Sequence, residues 1–151
     1  MSTFREGVQV VLASWRQALR WASIIAPPMV AFTDNIGSPQ IVVGQSMHPT
    51  LNPHPNSPFL DMVWVSKIRD FKPGDVVVLK DPIHENKTRI IKRVSEISPD
   101  GSRTFVLGDN RDHSTDSRNF GYVPSLLVEG VVTHVIFPPW RICKVVSSYS
   151  L

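Results

Sequence analysis

The sequence predicts an all-β domain preceded by one N-terminal helix. Three observations carry this. After residue 40 helical periodicity is hard to find, and short β-branched runs alternate with turn signals. Proline is abundant, 13 of 151 residues, and together with 8 glycines it favours turns and short strands over long helices. Residues 1–35 differ in character: they are apolar, with Arg5, Arg16 and Arg20 against a single acid, Glu6, before Asp34.

The helical element comes first. A spanning helix needs about 20 mainly apolar residues. The clean apolar run here, residues 21–32, is 12 long and contains Pro27 and Pro28. If Arg16 and Arg20 snorkel toward head groups, the helix extends back to Val8 and residues 1–36 form a single membrane anchor. The arginines before the run and Asp34 after it then put the N-terminus inside and the main domain outside. Two other readings stay open. One is a cleaved secretory signal, which lacks the small-x-small pattern it needs; the other is an amphipathic targeting or surface helix.

The β domain, residues 37–151, reads as strands near 41–44, 62–67, 75–80, 89–95, 103–107 and 128–137. Turn signals separate them at 52–55, 72–74, 98–101 and 108–110. Regular short strands with this punctuation suggest a barrel or sandwich. Length allows one domain with a modest core. A hydrophobic share of 42% against 19% charged residues excludes a disordered tail and a polytopic membrane protein. The single cysteine, Cys143, excludes an internal disulfide and a multi-cysteine zinc site. The formal charge is +3, but no basic run reaches five residues. That gives only weak support for nucleic-acid binding and better suits an ordinary solvated surface, or an anionic membrane.

Two short segments suggest chemistry. In Arg89-Ile90-Ile91-Lys92-Arg93-Val94, alternate residues share a strand face, so Ile90, Lys92 and Val94 lie together. If that face is the core, Lys92 is forced into an apolar setting that disfavours its ammonium form, and a neutral amine is a competent general base. The plain alternative is a solvent-facing edge lysine. In Val42-Val43-Gly44-Gln45-Ser46-Met47-His48-Pro49, a strand runs into a glycine and a serine and is stopped by proline. Ser46 then has a free hydroxyl beside unpaired backbone N–H groups, as a nucleophile with an oxyanion hole requires. Its plain alternative is a turn serine. A third segment, 108–121, is dense in short polar groups and reads as a hydrogen-bonded platform or a solvated turn.

Taken in order, these segments resemble the type I signal peptidase family of membrane-anchored serine proteases. Gly44-x-Ser46-Met47-x-Pro49-Thr50-Leu51 resembles its nucleophile box, and Lys92-Arg93-Val94 its base box, with Gly74-Asp75-Val76-Val77 ahead. Gly108-Asp109-Asn110-Arg111, then Ser114, Asp116-Ser117-Arg118 and Gly121, resemble its last box. Thr50-Leu51-Asn52-Pro53 and Phe137-Pro138-Pro139-Trp140-Arg141 look like the mitochondrial branch, the subunit 2 type of inner membrane protease.

The resemblance implies a coiled β-barrel behind a membrane-anchor helix, with Ser46 as nucleophile and Lys92 as general base. Ser114 is then the hydroxyl that orients the lysine, and Asp116 and Arg118 form a supporting ion pair. Asp109 and Asn110 shape the loop, and the backbone N–H of Ser46 is an oxyanion donor. No metal or cofactor is implied. The partners implied are precursor proteins with cleavable sorting signals, the membrane, and an inner membrane protease subunit 1. The location implied is the mitochondrial inner membrane, with the catalytic domain facing the intermembrane space. This chain departs from many bacterial members in carrying Gly44 where they have serine. Its stretch between Lys92 and Gly108 is shorter than in most family members, a trimming shared with a compact bacterial maturation protease, and Arg118 stands where many mitochondrial members carry asparagine.

Other readings compete. Ser46 could act with His113 or His48 and an aspartate, since histidine is the commoner base. The chain could be a signal peptidase of another compartment, for which a glycan on the Asn86-Lys87-Thr88 sequon would speak. It could also be a non-catalytic, membrane-anchored β domain that binds extended peptides.

Overall fold

A computed structural model describes residues 2–54, 57–84 and 88–147, with side chains described from Trp15 onward. Pro55 of the expected 52–55 turn, and Asn86 and Lys87 of the sequon, lie outside the described residues. The chain divides into two compact units, one ending at Asn35 and one beginning at Ile36.

The first unit is a helix, α1 (Ser2–Asn35), that continues through Pro27 and Pro28. Large apolar side chains on it are exposed, among them Trp15, Leu19, Trp21, Ile24, Ile25 and Met29. Among the described residues no helix is long and apolar enough to cross a membrane. Arg16, Gln17 and Arg20 interrupt the apolar stretch from one side and Asp34 closes it on the other.

The second unit is mostly β. Its strands are β1 (Gly37–Ile41), β2 (Met62–Ser66), β3 (Val76–Lys80), β4 (Arg89–Ile97), β5 (Arg103–Leu107), β6 (Val123–Pro124), β7 (Val128–Phe137) and β8 (Cys143–Lys144). They form one antiparallel sheet in the order β1-β2-β7-β3-β4-β5-β6, with β8 paired to β7. The order is an open path, and the sheet is a curled antiparallel half-barrel. The long strand β7 is its spine, pairing with β2, β3 and β8.

Curling lets both sheet faces be buried. On β3, Val76 and Val78 join a cluster with Val42, Met47, Leu51, Val63, Val65 and Val132. Val77 and Leu79 point the other way, into a cluster with Val94, Val106, Val123 and Val131. A strand buried on both faces reads as a continuous apolar run, which is what Val76-Val77-Val78-Leu79 is.

One expected strand lies elsewhere. The run placed at 41–44 forms β1 at 37–41, ahead of a turn spanning Ser46–Thr50. β1 sits at the sheet edge, where Pro39 costs no ladder hydrogen bond toward a further strand. Val42 prolongs the pairing by donating its N–H to the Asp61 carbonyl at 2.9 Å. The strands β6 and β8 and a one-turn helix, α2 (Ser117–Phe120), have no counterpart in the sequence reading. Two residues cannot display a period.

Candidate active site

Lys92 lies in the middle of β4, paired across from Val77 of β3, and is 4% exposed. Its face is the one that carries Val94, in the second apolar cluster. Burial pushes the amine below the ordinary lysine pKa. Asp116 and Asp81 oppose that shift, while Arg118 reinforces it.

The amine has one hydroxyl partner, Ser114, with Nζ donating to Oγ at 2.8 Å. Ser114 in turn donates its own proton to Asp116 Oδ2 at 2.9 Å. This directionality has a chemical consequence. A hydroxyl has one proton, and Ser114 has committed it to the carboxylate, so it can only accept from the lysine. When Lys92 is neutral, its lone pair is therefore left free to take a proton from elsewhere.

Asp116 is fully buried and anchors the loop. It accepts from Gly108 N at 2.9 Å, from Arg118 Nε at 2.9 Å and from Arg118 Nη2 at 2.5 Å. Burial raises its pKa, but these donors outweigh burial and hold the carboxyl well below the usual carboxylate range. It also caps α2, accepting from Arg118 N while Asn119 Oδ1 receives the Asp116 N–H.

Ser46 is half-buried in the turn after β1. Its carbonyl accepts from Asn110 N at 3.0 Å. Asn110 thus contributes its backbone to the site. Gly108 closes the junction: a Cβ there would lie 2.0 Å from Ser114 Oγ and 2.7 Å from the Ser46 carbonyl oxygen. The serine turn and the lysine's hydroxyl partner therefore meet at one glycine. The Ser46 hydroxyl makes no hydrogen bond among the described residues, to Lys92 or to a histidine. His48 Nε2 is instead 3.0 Å from the Pro53 carbonyl, and His113 is exposed. Gly44, two residues before Ser46, has φ of 92°, a left-handed conformation that disfavours a serine there.

Asp109 sits beneath the turn. It takes a two-pronged contact from Arg93, Nε to Oδ1 at 2.8 Å and Nη2 to Oδ2 at 2.7 Å, and a bond from Thr50 Oγ1 at 2.5 Å. Arg93 also donates to the Gly74 carbonyl at 2.8 Å. It therefore ties the strand of Lys92 to the turn of Ser46. Sequence reasoning gave Arg93 and Thr50 no role. The available signal was an arginine next to Lys92 on the opposite strand face, where only burial against a partner carboxylate makes it informative.

Residues 13–101 and 97–137 match the family described as signal peptidase, peptidase S26. The chain is 34% identical over 137 residues to the mouse (Mus musculus) mitochondrial inner membrane protease subunit 2, covering 78% of this chain and 77% of that one. The chain belongs to the signal peptidase family.

Two further relatives support the same conclusion. Subunit 2 from Schizosaccharomyces pombe is 31% identical over 128 residues, covering 74% of this chain and 71% of that one. The Arabidopsis thaliana mitochondrial ATP-independent inner membrane protease subunit 1b is 38% identical over 128 residues, covering 70% and 73%. As a signal peptidase family member, the chain is a serine peptidase of that type. Among the described residues no group of histidine, cysteine, aspartate and glutamate is placed to hold a metal ion.

Proposed function

We propose that this chain cleaves sorting presequences by acyl transfer, with Ser46 as nucleophile and Lys92 as its general base. The observation that carries this reading is the Lys92 amine: buried, depressed in pKa and held by a serine that can only accept from it. Neutral Lys92 takes the Ser46 proton as Oγ attacks the scissile carbonyl. The developing oxyanion is met by backbone donors, the Ser46 N–H among them, because Gly44 offers no side chain. The lysine ammonium protonates the leaving amine, and water activated by the same amine releases the acyl-enzyme. Ser114 orients the amine, the Asp116–Arg118 pair holds Ser114, and Asp109 and Asn110 hold the Ser46 turn. The substrate lies extended beside an exposed strand edge.

The names of the relatives, mitochondrial inner membrane protease subunits of both the subunit 1 and subunit 2 kinds, support a reading of the setting. The chain works at the mitochondrial inner membrane, its β domain in the intermembrane space, beside a subunit 1 partner and on precursors with cleavable sorting signals. The helix α1, with Arg16 and Arg20 beside exposed Trp15 and Trp21, attaches it to the membrane.

The test is cleavage of a presequence peptide by the full chain together with subunit 1, with Ser46→Ala and Lys92→Ala variants. Both variants should stay folded, and neither should form an acyl-enzyme visible by mass spectrometry. Turnover retained by Lys92→Ala and lost by His113→Ala would move the base to histidine.

A further inference from the structure

The segment leading into Ser46 is held by a side chain from beyond the turn. Asn52 Nδ2 donates to the Val42 carbonyl at 2.8 Å and to the Gly44 carbonyl at 3.3 Å. Both amide hydrogens are thus spent on carbonyls two and four residues before Ser46. The other side of the amide is also occupied, since Asn52 Oδ1 accepts from Asp61 N at 2.7 Å. The Asn52 backbone N–H donates to Asp61 Oδ2 at 2.8 Å. Asn52 is 9% exposed and Asp61 is 2% exposed, so the bonds to Val42 and between Asn52 and Asp61 are made away from competing water, while the bond to Gly44 is part-buried.

Two positions of positive φ fit this arrangement. Asn52 has φ of 50° and Gly44 has φ of 92°. Asparagine tolerates the left-handed region better than other side-chain-bearing residues, and its amide carries donors and an acceptor together. Few other residues fill both needs. The buried Asp61 side chain has an ion-pair partner in Arg141, with Nη2 at 3.0 Å from Oδ2. The same Nη2 donates to the Thr50 carbonyl at 3.3 Å. Arg141 thus reaches both the turn and the carboxylate that fixes its far end.

We propose that Asn52 is a positioning residue for catalysis, and that it sets the direction of the Ser46 hydroxyl by holding the Gly44 carbonyl. Asp61 and Arg141 hold Asn52 in turn. The proposal rests on the reading that Ser46 is the nucleophile. The bonds go to the turn that carries Ser46, so their loss acts on the chemical step more than on substrate binding. A displacement of the reacting atom by about 1 Å is enough to cost a large factor in rate.

Asn52→Gly separates the two roles of the residue. It keeps the left-handed backbone at no steric cost and removes the amide. Asn52→Asp keeps size and shape but sets an oxygen against the Val42 and Gly44 carbonyls. The full chain with its partner subunit is assayed for kcat and KM on a presequence peptide, and for acylation of Ser46 by a small activated ester, whose phenolate leaves as the Ser46 Oγ–acyl bond forms. Acylation needs no peptide docking. Thermal unfolding checks the fold.

The expected result for Asn52→Gly is a folded protein in which kcat and the acylation rate both fall by about tenfold or more, with KM within about twofold. Asn52→Asp falls at least as far. Wild-type acylation in either folded variant, or a loss carried by KM alone, overturns the proposal. If both asparagine variants unfold, Arg141→Lys, which loosens Asp61 and leaves Asn52 in place, is judged by the same split. A Ser46→Ala chain that is itself still acylated, read by its mass, would defeat the nucleophile assignment instead, so the two failures are told apart.

Discussion

Ser114 stands where a side chain on Gly108 would have to go, its Oγ only 2.0 Å from the position of a Cβ. Gly108→Ala should therefore push the lysine's hydroxyl partner and the Ser46 carbonyl apart. Overpacking of this kind costs about 1–3 kcal/mol. The expected outcome is a lower unfolding midpoint and a loss of turnover larger than the loss of fold explains. Denaturant unfolding and kcat, measured on the same preparation, check it.

Ser114→Ala should leave Lys92 without the acceptor at 2.8 Å and Asp116 without one donor. The amine then samples other rotamers. We expect kcat to drop by about 10- to 100-fold, with KM little changed, because the effect acts through general-base catalysis. Steady-state kinetics on a presequence peptide give the split.

The pH dependence follows from the direction of the Lys92 shift. Burial favours the neutral amine in the folded state, so activity should rise with pH through a value below the ordinary lysine pKa and fall as acid protonates the base. The same shift has a stability side. The folded state is fully stable with respect to this group above the unfolded lysine pKa of about 10.4, and loses stability as pH falls from there toward the lowered pKa. Lys92→Met should thus be inactive yet raise the thermal midpoint at neutral pH.

Asp116 works in the opposite sense. Its folded pKa is depressed, so its contribution is present above the ordinary carboxylate pKa of about 3.9 and is lost as acid protonates it. Asp116→Asn breaks a buried pair with Arg118 and removes an acceptor from Gly108, Ser114 and α2. A cost of about 3 kcal/mol is expected, read as a shift in urea midpoint at neutral pH that narrows in strong acid.

Much of the candidate arrangement is legible in the sequence because its signals are local. Alternation along β4 places Lys92 on the face of Val94, and the structure puts that face in an apolar cluster. Ser114, Asp116 and Arg118 lie within five residues of one another, so their polar density is visible in a short window. What the sequence hid is long-range. Arg93 meets Asp109 across 16 residues, and Arg141 meets Thr50 across 91. Asn52 read as part of a turn, because nothing in its neighbours says that its amide folds back onto Val42 and Gly44.

The account turns on the protonation of one amine. The most direct measurement is an NMR titration of Lys92, its side-chain Cε followed by selective labelling in the full chain assembled with its partner subunit. The account predicts a midpoint clearly below the ordinary lysine value of about 10.4, matching the acid limb of the activity profile. A midpoint at the ordinary value, with activity already full where the amine is charged, would contradict it.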